Sequence, residues 1–270
     1  MSRGMDAAQM DTDAMWAALD WQVELGADEA ILDVPVDRTA LDPAPARAAP
    51  ARAAPAADAP DRRPPPPEVD PVAAAEAAAA AAQDLEGLRA AMAAYPHSDL
   101  KKGARSLVFS DGHPSARVMI VGEAPGQDED RQGRPFVGRA GQLLDLMFGE
   151  IGLGRTSERA DGGLYLTNVL VWRPPQNRDP EPAEAAMMLP FLRRHVALAK
   201  PEVLVAMGNH ACQALIGQRG ITRLRGRWDE AWGLPVLPML HPAYLLRNPH
   251  MKREAWADLL ELQSRLRGNG

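Results

Sequence analysis

Cysteine is nearly absent from this chain of 270 residues: there is one, Cys212. A lone cysteine cannot close an internal disulfide, which excludes the disulfide-stapled scaffolds of small secreted domains and agrees with a reducing compartment. Its apolar helical context marks Cys212 as a small buried hydrophobe rather than a nucleophile. Long apolar runs are missing too. No stretch approaches the roughly 20 residues that a membrane span requires, and the acidic N-terminal region lacks the basic-then-apolar pattern of a signal peptide. Together these absences predict a soluble, cytoplasmic chain with no membrane partner. What is present, 46% apolar residues, is enough for a sizeable core.

A surplus of positive charge is also lacking. The net charge of −6 argues against a polyanionic partner until it is divided along the chain. Residues 1–40 hold nine acids and two arginines, more than the whole of that deficit. Between Arg193 and Arg253 ten Lys/Arg stand against Glu202, Asp229 and Glu230, a net +7 that can attract a polyanion.

Three regions follow from composition. Residues 1–34 are acidic, and MDTDAMWAALDWQVELGA from Met10 has helical spacing. Residues 35–75 are dominated by Ala and Pro, which cannot bury a core and predict a disordered linker. Residues 76–270 read as one domain, entered through a polyalanine helix around Val72–Ala94. In that domain VMIVG (118–122), LYLTNVL (164–170), EVLVAMG (202–208) and LPVLPML (234–240) read as strands, with helical segments between and after them. This alternation predicts a three-layer, doubly wound α/β domain around a largely parallel four-stranded sheet. Ligands of such sheets sit beyond the carboxyl ends of the strands.

The chemistry-bearing residues gather at those ends. Glu123 follows the first strand, Asn168 lies near the end of the second, and His241 follows the fourth. The loop after the first strand reads GEAPGQDEDRQGRPFVGRAG (122–141). It is glycine-rich like a phosphate loop, but it carries Glu123, Asp128, Glu129 and Asp130 and no lysine. Carboxylates repel phosphate, so a nucleotide-binding reading fails there.

With GEAPGQDEDRQGRPFVGRAGQLLD, YLTNVLVWRPPQNRDP and HPAYLLR in this order, the chain from about Ala91 to Leu266 resembles the family 4 uracil-DNA glycosylases. The acidic segment and Ala/Pro tether resemble an N-terminal extension of some bacterial members. The resemblance implies a DNA-repair hydrolase that flips uracil out of DNA, cuts its N-glycosidic bond and leaves an abasic site. It implies that Glu123 orients water or stabilises a cationic sugar, and that His241 donates a hydrogen bond to uracil O2. Glu129 would stand near His241 as a third catalytic group. Phe136 would stack on the base, Asn168 would read its edge, and Gly122, Ala124 and Asn177 would complete the uracil pocket. Leu245, Leu246 and Arg247 would form the wedge that enters DNA.

The family usually holds a 4Fe-4S cluster on four cysteines, whereas the corresponding positions here are Ser98, Lys101, Trp172 and Met188. The expectation is therefore a chain without cofactor or metal, its gap plugged by Trp172 and Met188. The expected partner is uracil-containing DNA, single- or double-stranded, met by a monomer in the nucleoid, with the N-terminal extension left for a protein partner. The alternative is a non-catalytic or covalently trapping binder of uracil-containing DNA. The pocket motifs contain no lysine to serve as a lyase nucleophile.

Overall fold

A computed structural model describes residues 70–268. The expected helix from Met10 and most of the Ala/Pro linker lie outside the described residues. The first helix, α1 (Pro71–Ala81), starts on Asp70, whose carboxylate accepts the Val72 N–H at 2.9 Å. The single helix expected over 72–94 is two. Asp84 accepts the Gly87 N–H at 2.7 Å and starts α2 (Leu85–Ala94) afresh. Arg194 donates twice to the Ala82 carbonyl at the break, at 2.6 and 3.0 Å. The boundary expected at residue 75 also shifts: Ala75 is fully buried, and the Tyr95 hydroxyl donates to the Pro71 carbonyl at 2.6 Å. Deleting residues 1–69 is therefore expected to leave the urea denaturation midpoint unchanged. Deletion through residue 75 removes a helix cap and a buried contact and should cost about 2 kcal/mol in the same titration.

The chain continues through α3 (Leu100–Gly103), β1 (Asp111–Gly112), β2 (Val118–Gly122), α4 (Gln127–Gln132), α5 (Arg139–Gly149) and β3 (Leu164–Asn168). It goes on through α6 (Pro182–Ala199), β4 (Val203–Met207), α7 (Asn209–Ile216), α8 (Ile221–Leu224), β5 (Asp229–Ala231) and β6 (Leu234–Met239). Helices α9 (Pro242–Arg247) and α10 (Lys252–Leu266) close it. The sheet order is β1-β3-β2-β4-β6-β5. Its middle four strands are the expected parallel set, and two short antiparallel strands at the edges bring the total to six. Those edges leave little trace in the sequence: an Asp-Gly pair and a three-residue run are too short for a period.

Every residue of β2, β3 and β4 is buried, as befits parallel strands covered on both faces. Alternate side chains divide between two apolar layers. Met119, Val121, Leu204 and Ala206 pack with residues of α6 and α7. Val118, Ile120, Val203 and Val205 pack with Leu144, Phe148, Leu259 and Leu262 from α5 and α10. A third cluster joins α1 and α2 to Phe191, Met188 and Trp172. Among the described residues, no helix is long and apolar enough to cross a membrane.

Candidate active site

The parallel register sets Gly122 beside Asn168 at the carboxyl ends of β2 and β3. A Cβ on Gly122 would lie 2.3 Å from Asn168 Oδ1 and 2.5 Å from the Phe136 ring, so three residues from separate segments meet where only glycine fits. Asn168 is almost buried, 4% exposed, and its amide makes no hydrogen bond to a described residue. None of its polar atoms is sealed from solvent, so the amide is available to a ligand.

Phe136 is held in an unfavourable backbone conformation, φ 54°. Arg155 holds it there. Its guanidinium donates to the Pro135 and Phe136 carbonyls at 2.9 and 2.8 Å and pairs with Asp111 and Asp145 at 3.0 and 2.8 Å. Arg155→Ala would leave those carbonyls without their donor and the half-buried Asp111 with only Arg134, 3.8 Å away. It is expected to destabilise the chain by about 3 kcal/mol in thermal unfolding.

His241 caps α9. The Ala243 N–H donates to His241 Nδ1 at 3.1 Å, which places the proton of the neutral ring on Nε2. Burial, with Arg247 nearby, pushes the imidazolium pKa down to about 4, against a smaller opposite pull from Glu129. The ring is thus neutral at neutral pH, with Nε2–H free of any described partner. Phe136 stacks beside it, centroids 5.8 Å apart. Gly208, at φ 88°, ends β4 against the His241 Cβ, where an added Cβ would approach to 3.3 Å.

Glu123 is partly buried, its side chain 34% exposed, and it faces His210 Nε2 at 3.8 Å. Burial raises its carboxyl above the usual range, His210 and Arg219 pull it back, and Asp179 adds to the rise. Glu123, Asp179 and His210 present three ligand atoms within 4.8 Å of one another. A cation site is an unattractive use of them, because an Arg219 guanidinium nitrogen already lies 3.2 Å from His210 Nε2.

Several expected site residues stand elsewhere. Glu129 is not free to catalyse: Oε1 accepts the Val137 and Gly138 N–H groups at 2.9 Å each, and Oε2 accepts the Gly126 N–H at 3.1 Å. It shapes the loop and reaches His241 only through its charge. Asp130 likewise accepts the Arg105 and Ser106 N–H groups. Asn177 is exposed and accepts a hydrogen bond from Arg173 at 2.7 Å rather than lining the pocket. Ala124 packs against the third apolar cluster. Leu245 is fully buried in the core, so only Leu246 and Arg247 of the expected wedge face solvent. The basic stretch divides similarly: Arg194 and Arg225 are taken up internally, while Arg219, Arg223, Arg227 and Arg247 are exposed. Arg155 and His210 belong to no motif or period in the sequence, and Asp179 lies inside YLTNVLVWRPPQNRDP without being singled out by it.

Residues 109–260, more than half of the chain, match the family model described as the uracil DNA glycosylase superfamily. The chain belongs to that superfamily. This glycosylase chain is 36% identical over 179 residues to the Type-4 uracil-DNA glycosylase of Sulfurisphaera tokodaii, covering 63% of this chain and 79% of that one. It is 37% identical over 170 residues to the Type-4 enzyme of Thermotoga maritima, covering 61% and 85%. With that of Archaeoglobus fulgidus it shares 38% over 173 residues, covering 61% and 84%.

The match overturns the expectation of a chain without cofactor. Its relatives carry the Type-4 name, and a 4Fe-4S cluster belongs to that family, so the kinship points toward a cluster. The residues present do not fit one of the usual four-thiolate kind. Cys212 is the single cysteine and is buried in α7, where desolvation pushes its thiol up to about 12. Of the four family ligand positions, Ser98, Trp172 and Met188 are buried, the last two in one apolar cluster. Lys101 is exposed and donates to the Ala93 carbonyl.

Proposed function

We infer that this superfamily member is a monofunctional uracil-DNA glycosylase, excising uracil from DNA in base-excision repair at the crevice beyond β2, β3 and β6. The observation that carries the reading is the Phe136 ring set between the Asn168 amide at Gly122 and the His241 ring, with the Asn168 amide and His241 Nε2–H free of partners among the described residues.

The flipped uracil lies against Phe136, and the Asn168 amide offers a donor and an acceptor to its Watson–Crick edge, which cytosine cannot match. As the bond between C1′ and N1 breaks, negative charge grows on uracil O2 and is met by His241 Nε2–H. The neutral ring suits this task, because it donates without first having to lose or gain a proton. Cationic character on the sugar is met by the Glu123 carboxylate, which also orients the water whose oxygen adds to C1′. That water's proton passes to the departing base. No lysine stands among these groups, so the sugar–phosphate strand stays intact.

All the groups come from one chain, which supports action as a monomer. Exposed Leu246 and Arg247, at the far end of the short helix α9 that His241 caps, support a wedge of two residues on duplex substrate. Both strand forms are read as substrates, within the nucleoid of the cytoplasm, and the extension before residue 70 is left for a protein partner.

The test is an end-labelled oligonucleotide carrying one uracil. Alkali after incubation is expected to cleave it at the uracil position on a denaturing gel, while an untreated sample stays full length. A native-gel shift without an alkali-labile site would instead identify a non-catalytic or trapping binder.

A further inference from the structure

We propose that His210 is a positioning residue for Glu123, an imidazole set between two carboxylates that governs where the Glu123 side chain points and whether it keeps its charge. This rests on reading Glu123 as the carboxylate that faces the sugar.

The placement is built by three segments. Glu123 leaves the end of β2, Asp179 stands just before α6, and His210 is the second residue of α7. His210 Nε2 lies 3.8 Å from Glu123 Oε2 and 3.5 Å from Asp179 Oδ2. Arg219 approaches both ring nitrogens, at 3.2 and 3.5 Å, so its guanidinium lies over the ring rather than along one lone pair. Asn209 fixes that approach: its Oδ1 accepts the Gly220 and Ile221 N–H groups at 3.0 and 2.9 Å, tying the Arg219 loop to the start of α7.

The cluster answers a need of the reaction. A carboxylate that stabilises a cationic sugar has to be ionised, and burial opposes this. The groups facing Glu123 are His210 and Arg219, which favour the anion, and Asp179, which disfavours it. His210 is 17% exposed and Asp179 84% exposed, on the wall of a cavity of about 550 Å³. Replacing Asp179 therefore leaves the core packing untouched, and Gln at position 210 keeps a polar side chain of similar length where His210 is half-buried.

The experiment is single-turnover excision from a single-stranded oligonucleotide with one uracil, followed across pH for the wild type, His210→Gln, Asp179→Asn and Glu123→Gln. Loss of His210 is expected to slow excision on the order of tenfold near neutral pH, as when an outer partner of a reacting group is removed. It should also move the acid limb of the profile to higher pH. Asp179→Asn should move the limb the other way, to lower pH. Opposite movements from two neutral substitutions in one cluster cannot come from loosened packing. An unmoved limb in both variants, with Glu123→Gln inactive, overturns the role of His210 and leaves Glu123 in place. His241 faces Arg247 and Glu129 instead, so a limb belonging to it would stay still and count against the proposal. Wild-type rates in Glu123→Gln would remove the premise itself.

Discussion

Replacing His241 by Ala is expected to lower the single-turnover rate of uracil excision by on the order of 10²- to 10³-fold, the usual result of losing one transition-state donor. The Nδ1 side of the ring is tied to the Ala243 N–H, so only Nε2–H faces the crevice. What disappears with the ring is thus mainly the bond to uracil O2, together with the start of α9. A cap loss alone costs about 1 kcal/mol of stability and does not slow chemistry to that degree. Binding of uracil-containing DNA, followed by fluorescence anisotropy, should weaken much less than the rate, because the charge on O2 develops only as the bond breaks. With the imidazolium pKa at about 4, the wild-type rate across neutral pH should show no limb belonging to this ring. A His241→Ala variant as fast as the wild type would take the residue out of the mechanism.

The second large effect is expected at a residue with no functional group. Gly122→Ala adds a methyl group that would lie 2.3 Å from Asn168 Oδ1 and 2.5 Å from the Phe136 ring. Either the amide or the ring has to move, and both are groups that hold the base. Displacement by about 1 Å of a group that positions a reactant costs on the order of 10²-fold, and kcat/KM for uracil excision should fall by that much. Ser and Val should be no better than Ala, since all three carry the same Cβ. Unchanged kcat/KM in Gly122→Ala, with a normal denaturation midpoint, would mean that Phe136 and Asn168 do not act together.

The four parallel strands were legible because each is a short, mostly apolar run of the kind that a parallel strand buried on both faces needs. Glu123, Asn168 and His241 were legible as a group for a related reason: parallel strands bring their carboxyl ends to one edge, so residues at or just past those ends are neighbours, whereas Gly122 and Phe136 join them only through the family resemblance. The break at Asp84 was hidden inside an alanine-rich stretch that favours helix throughout, and it took a capping bond and Arg194 to make it. Leu245 and Leu246 are the same residue type side by side, and only the packing of α9 against α5 separates the core leucine from the exposed one.

The sequence by itself determined the family, the four parallel strands and the sheet edge at which the candidate site residues gather, because these follow from local apolar runs and from motifs in a fixed order. It could not say which carboxylate of the 122–141 loop was free to react. Glu123 and Glu129 have the same chemistry six residues apart, and hydrogen-bond donors decide between them. The fold brings the N–H groups of Gly126, Val137 and Gly138 to Glu129 and none to the Glu123 side chain, which it sets instead beside His210, Asp179 and Arg219. Those donors and charges come from distant turns of the chain, and only tertiary packing brings them within reach.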